Sequence, residues 1–189
     1  MKGLNQSATI ALLTIIVMIF VTIIVTIPAA LANESHCEAG VGEQRASTPT
    51  SEFELPRDGT IIHSRTRLQW AQCALGQSWS RDFCTGQAQP FNWENARAAV
   101  EQVNRSGELG GYRDWRLPTR EELETIVENC REAPSINENV FPNTPWAGFW
   151  TSSTDTSQAD QAWFVGFYYG LPLEYSRASS YRVRPVRSR

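Results

Sequence analysis

The chain has 189 residues, 41% of them hydrophobic, with 17 basic and 20 acidic side chains and a formal net charge of −3. That balance excludes a globally basic nucleic-acid binder and a disordered acidic tail, so no nucleic-acid partner is expected. Setting aside the first 32 residues leaves enough chain for one ordinary domain and too little for two. Beyond Lys2 every basic side chain is an arginine, the residue that makes fixed, fork-shaped contacts.

Residues 8–32 read ATIALLTIIVMIFVTIIVTIPAALA and carry no charge. The stretch 10–27 approaches the length of a bilayer span. Lys2 precedes it, Pro28 breaks it, and Ala30-Leu31-Ala32 gives the small-residue pattern that a signal peptidase takes. Two readings of residues 1–32 stand, a cleaved signal peptide or an N-terminal membrane anchor. Both export the remainder of the chain, to the periplasm, the cell surface or the medium, or hold it at the inner membrane with the domain outside the cytoplasm. Membrane contact is expected only through residues 8–32, if they are uncleaved.

Residues 33–58 are rich in Glu, Gly, Ser, Thr and Pro, and read as a flexible arm or linker before a domain over 59–189. The four cysteines, Cys37, Cys73, Cys84 and Cys130, all lie beyond the apolar run, which in an oxidising compartment means two disulfides. Cys73 and Cys84 flank a short loop and are expected to pair. Cys37 is then left for Cys130. A zinc site is disfavoured because no CxxC pair exists and the histidines are only His36 and His63.

Within the domain, Thr60–His63 and Arg67–Trp70 read as a hairpin around Ser64-Arg65-Thr66. Asn92 is placed to cap a helix over 93–104, with Trp93, Ala96, Val100 and Val103 at helical spacing and Gly107, Gly110 and Gly111 beyond it. Thr119 followed three residues on by Glu122 is a capping box for a second helix that buries Leu123, Ile126 and Val127. Residues 131–148 carry three prolines and no periodicity. They read as a long loop pinned by Ile136, Val140, Phe141 and Trp146. Strands return at 149–153 and 162–168, where alternation puts Trp163, Val165 and Phe167 on one face. In a last strand, Tyr181-Arg182-Val183-Arg184, the tyrosine and valine are expected to point in and the arginines out. The order is an α+β pattern: short strands, two helices and long loops in a single compact domain.

No GxSxG elbow, HExxH, phosphate-binding glycine loop or dinucleotide fingerprint is present, so no catalytic residue and no cofactor are assigned. Asp155 and Asp160 lack EF-hand spacing, and no metal is assigned. Asp58, Asp82, Asp114, Asp155, Asp160 and Glu174 lie in or near turns, and nothing in their spacing pairs two of them as a glycosidase requires. The strongest recognition signal is Tyr168, Tyr169 and Tyr175 around Gly170 and Pro172, followed by Arg177, Arg182 and Arg184. Tyrosines supply rigid contact area, and arginine forks grip sulfate or carboxylate.

Several segments resemble one family. They are Leu68-Gln69-Trp70, Trp93-Glu94-Asn95-Ala96, Gly111-Tyr112-Arg113-Asp114-Trp115-Arg116-Leu117-Pro118-Thr119, Phe149-Trp150-Thr151-Ser152-Ser153, Ala162-Trp163-Phe164-Val165 and the closing Arg182-Val183-Arg184-Pro185-Val186-Arg187. Together they look like DUF1566, the domain at the carboxyl end of the Legionella collagen-like adhesin. The resemblance runs from about residue 60 to 187, and the cysteine pair in CALGQSWSRDFC resembles a common variant of the family. It implies a C-type-lectin-like fold, and in the adhesin an association with trimers that bind sulfated glycosaminoglycans. Residues 33–58 have no Gly-X-Y period, which weakens any transfer of trimerisation, and the oligomeric state stays open. In this reading Trp115 and Leu117 plug the core, Arg116 ties loops, Pro118 stays extended and Thr119 caps a helix.

The expected function is an exported, non-enzymatic recognition or adhesion module that binds an anionic glycan or an envelope or surface protein. The alternatives are a structural subunit of an envelope or surface assembly, and a carboxylate-dependent enzyme acting on envelope glycans.

Overall fold

The computed structural model describes residues 46–155 and 157–189. In chain order its strands are β1 (Phe53–Glu54), β2 (Thr60–His63), β3 (Leu68–Ala71), β4 (Ser78–Ser80) and β5 (Phe83–Thr85). Two helices come next, α1 (Trp93–Ser106) and α2 (Arg120–Glu124), and then β6 (Gly148–Trp150), β7 (Gln161–Gly166), β8 (Leu171–Ser176) and β9 (Val186–Ser188). They build three antiparallel sheets, ordered β1-β2-β3-β9, β4-β5 and β6-β7-β8. The fold is α+β with open sheets.

The β2–β3 hairpin pairs Ile61 with Trp70, and all eight of its residues are buried. The part of residues 33–58 that is described departs from the loose arm expected. Phe53 alternates inward against exposed Glu54, stacks on His63 at 4.6 Å and meets Phe141 edge-on at 5.7 Å. The buried Glu128 carboxylate accepts the backbone N–H and the hydroxyl of both Ser47 and Thr48 at 2.8–2.9 Å. Phe53, the distant Glu128 carboxylate, the Asn137 amide on the Thr48 carbonyl at 2.9 Å and the β1–β2 pairing thus dock a segment whose composition reads as linker. Cys37 and the apolar run at 8–32 lie outside the described residues.

The helices obey their caps. Asn92 accepts from the Asn95 N–H, and Trp93, Ala96, Val100 and Val103 are the buried face of α1, which Gly107 ends at a φ of 66°. At α2 the capping box of Thr119 and Glu122 is complete. This helix is only five residues long, yet Ile126 and Val127 beyond it are buried with Leu123.

Two cores result. Ile61, Trp70, Leu123, Ile126, Phe141, Phe149, Val165 and Phe167 share one. Trp93, Val100, Trp115, Leu117, Trp150, Phe164 and Val183 share the other. Neighbouring residues on β6 and β7, such as Phe149 and Trp150, enter different cores, so this sheet is buried on both faces. Val165 and Phe167 share one core, as the alternation expects, but the opposite face is buried as well. Ala162 and Phe164 serve one core and Val165 the other, while Trp163 is half-buried beneath the Arg120 guanidinium, 4.6 Å from its ring centroid.

Two further expectations are corrected. Trp146 does not pin the long loop but is 64% exposed. The Ala147 N–H closes on the Pro145 carbonyl at 2.8 Å, a tight turn that throws its central residue outward. The last strand is Val186–Ser188, not Tyr181–Arg184. Tyr181 and Arg182 make only single bridges to Phe91 and Phe149 before the chain crosses to β3.

Candidate functional site

The crossing explains the largest departure at the site. Arg184 is 0% exposed, not turned to solvent. Its guanidinium donates to the Ala71 carbonyl at 2.9 Å, to the Gln72 carbonyl, and to the Thr144 hydroxyl at 2.7 Å, and it lies 4.8 Å from the Phe141 ring centroid. Burial pushes it down to about 9, above neutrality, so the charge persists at pH 7. It is a structural tie between the end of β3 and the long loop. Arg182 is half-buried, its backbone N–H on the Gly148 carbonyl at 2.8 Å and its Nε enclosed without a partner.

The remaining four residues of the expected surface divide. Tyr168 and Tyr169, 43% and 61% exposed, meet edge-on at 4.4 Å in the β7–β8 turn, with Trp146 6.2 Å from Tyr168. The Tyr168 phenol beside it raises Tyr169 above the usual tyrosine value. Tyr175, 57% exposed on β8, lies edge-on to Tyr181 at 6.5 Å.

Arg177 joins a different constellation. Its guanidinium lies 4.4 Å from the centroid of the Trp93 ring, and Arg97, one turn along α1, lies over the same indole at 5.1 Å. Trp93 is fixed by its indole N–H on the Thr151 carbonyl at 2.8 Å, and Arg177 by its Nε on the Gln161 carbonyl at 3.1 Å. Both line a cleft of about 500 Å³ with Glu101, Trp115, Arg116, Leu117, Ser152 and Thr154. Sequence reading took Trp93 as core alone and passed over Arg97. The available signal was an arginine four residues after a tryptophan, where helical side chains meet.

The cleft's arginines differ in how much charge they leave free. Arg116 makes a fork to both Glu122 oxygens at 2.6 and 2.7 Å, which raises its own pKa. Burial pushes Glu122 up, but Arg116 and the Thr119 N–H more than offset it and leave the carboxyl low. Arg97 has a loose contact with Glu94 at 3.5 Å. Among the described residues, Arg177 has no carboxylate partner. A second cleft, beside Ile62, Tyr112 and Arg187, differs because Arg187 is already held by Asp114 at 2.6 and 3.0 Å.

The WRLPT segment forms the cleft's back wall. Trp115 is buried, with its backbone N–H and carbonyl both bonded to the Asn104 amide at 2.8 Å. Leu117 is buried, and the Pro118 carbonyl accepts the Ser152 N–H at 2.7 Å. The disulfide Cys73–Cys84 ties the β4–β5 hairpin to the end of β3. Cys130 is also disulfide-bonded, and its expected pairing with Cys37 falls outside the described residues. His63 is buried, and burial lowers its pKa, so it is a neutral core residue near Glu52. Among the described residues no three His, Cys, Asp or Glu side chains group to hold a metal ion.

Residues 59–187 match the Lcl C-terminal domain. The chain belongs to that family. The match covers everything from β2 into β9, including both helices and the whole cleft. Membership in this adhesin-associated family points to an extracellular or surface role. No curated protein matches the chain. Among the described residues no helix is long and apolar enough to cross a membrane.

Proposed function

We propose that this exported Lcl C-terminal domain is a non-enzymatic recognition or adhesion module that takes an anionic group, from a glycan or from an envelope or surface protein, in the Arg177 cleft. The observation that carries the reading is the Arg177 guanidinium, stacked on Trp93 and, among the described residues, anchored only through Nε. Its two terminal nitrogens stay available for a paired grip on a carboxylate or sulfate. Arg97 stands on the same indole, and Ser152 and Thr154 line the same cleft. Glycoside hydrolysis needs two carboxyl groups about 5–9 Å apart. Among the described residues this cleft has one on its wall, Glu101, which supports binding over hydrolysis.

The experiment is retention of the protein on sulfated and uronate-bearing glycans and on envelope extracts, with wild type beside Arg97→Ala/Arg177→Ala. Loss of retention in a variant that unfolds at the wild-type temperature supports the cleft. Undiminished retention removes it.

A further inference from the structure

The aromatic tip at the β7–β8 turn lies apart from the cleft and is not explained by it. Trp146, Tyr168, Tyr169 and Leu171 are all exposed at one end of the β6-β7-β8 sheet. The docked arm reaches the domain at that same end. Ser47 is held by Glu128 and receives the Asn129 N–H at 2.9 Å, and the segment running on from there returns the Ala133 N–H to the Tyr168 carbonyl at 2.9 Å. The Val127 side chain lies against Gly170, where a Cβ would meet it at 2.5 Å. Strand addition along β8 does not account for the exposed residues. Pro172 faces Val165 in the ladder and has no N–H to offer an added strand.

We propose that this tip rests in the interfacial zone of a lipid bilayer. Three of its four residues are tryptophan or tyrosine, the side chains that settle at headgroup depth with an apolar body and a polar end. The chain outside the described residues argues for this occupant. Residues 10–27 are the apolar run, and 18 residues separate it from Ala46, a tether of at most about 60 Å when extended. In the anchored reading, a tether of that length keeps the domain, this tip included, within reach of the bilayer. Arg131 and Glu132 beside the tip balance in charge, so the contact rests on aromatic burial and is insensitive to salt. The cleft, by contrast, depends on charge, and the two proposals fail separately.

The test is the full chain reconstituted into phosphatidylcholine vesicles whose acyl chains are either brominated or unmodified, comparing wild type with Trp146→Phe. The emission that the substitution removes is expected to be blue-shifted, to be lost in brominated lipid, and to behave alike at low and high salt. Tyr168→Ser/Tyr169→Ser is expected to return that component towards the emission of an indole in water. The proposal is overturned if the Trp146 component keeps a water-like maximum and is quenched by aqueous iodide. It is also overturned if its shift appears only when envelope protein is added to pure-lipid vesicles.

Discussion

At the scale of the residue, two arginines seven positions apart have opposite roles. Arg184 is buried among carbonyls and a hydroxyl, whereas Arg177 covers an indole at a cleft wall. Replacing Arg184 with leucine strands the Ala71 and Gln72 carbonyls, and should cost about 2–4 kcal/mol in urea unfolding. Arg177→Ala should stay within about 1 kcal/mol of wild type. Glu128 supplies a pH signature. Burial pushes its carboxyl up, but the N–H and hydroxyl groups of Ser47 and Thr48 more than offset this and hold it below the ordinary value of 4.5. A folded pKa below the unfolded one gives stability that is present above pH 4.5 and lost as pH falls through the folded value. Glu128→Gln should therefore be less stable at pH 7 and flatter in an acid titration of stability. A variant whose acid limb matches wild type would contradict the clamp.

At the scale of the element, caps and periodicity were legible, and burial of the faces opposite the predicted ones was not. Asn92 and Thr119 carry local hydrogen bonds that residue type and spacing specify, and α1 buries the four residues its stripe implies. Thr119→Ala should cost about 1 kcal/mol in thermal unfolding. Alternation held along β7, with Val165 and Phe167 in one core and Ala162 and Phe164 in the other, and it held for Tyr181 and Val183. It did not show that the opposite side is buried too, which takes Arg184 inside. No pattern within 162–184 encodes that second core. The arm docked by Glu128 was missed for a similar reason, since it depends on a partner distant in sequence, whereas Trp146 is turned outward by the local Pro145–Ala147 closure. Gly148 sits where the sheet leaves no room for a side chain. A Cβ there would lie 2.6 Å from Tyr181 and 2.7 Å from Phe164, two rings stacked at 4.1 Å. Gly148→Ala should destabilise by about 1–3 kcal/mol and loosen that ring pair. Side-chain NMR of Tyr181 is the check, and unperturbed ring shifts would contradict the packing.

At the scale of the whole molecule, few regular elements hold long loops in place, and covalent and buried polar ties do the rest. The Cys73–Cys84 bridge closes a short loop and should contribute about 3 kcal/mol by restricting the unfolded chain, measured by urea unfolding of the Cys73→Ser/Cys84→Ser variant. The scaffold leaves one arginine-lined cleft whose Arg177 has no carboxylate partner among the described residues, on a chain that is net acidic overall. Attraction of an anion must then come from this local patch and weaken with salt. The most direct measurement is calorimetric titration of the purified chain with dextran sulfate and with polygalacturonate, at low and high salt, for wild type and Arg177→Ala. Wild type is expected to bind at least one of them saturably, with binding weakened by salt and lost in a variant that remains fully folded. Binding that Arg177→Ala leaves unchanged, or no binding of either polymer by wild type at low salt, would contradict a recognition role for the cleft.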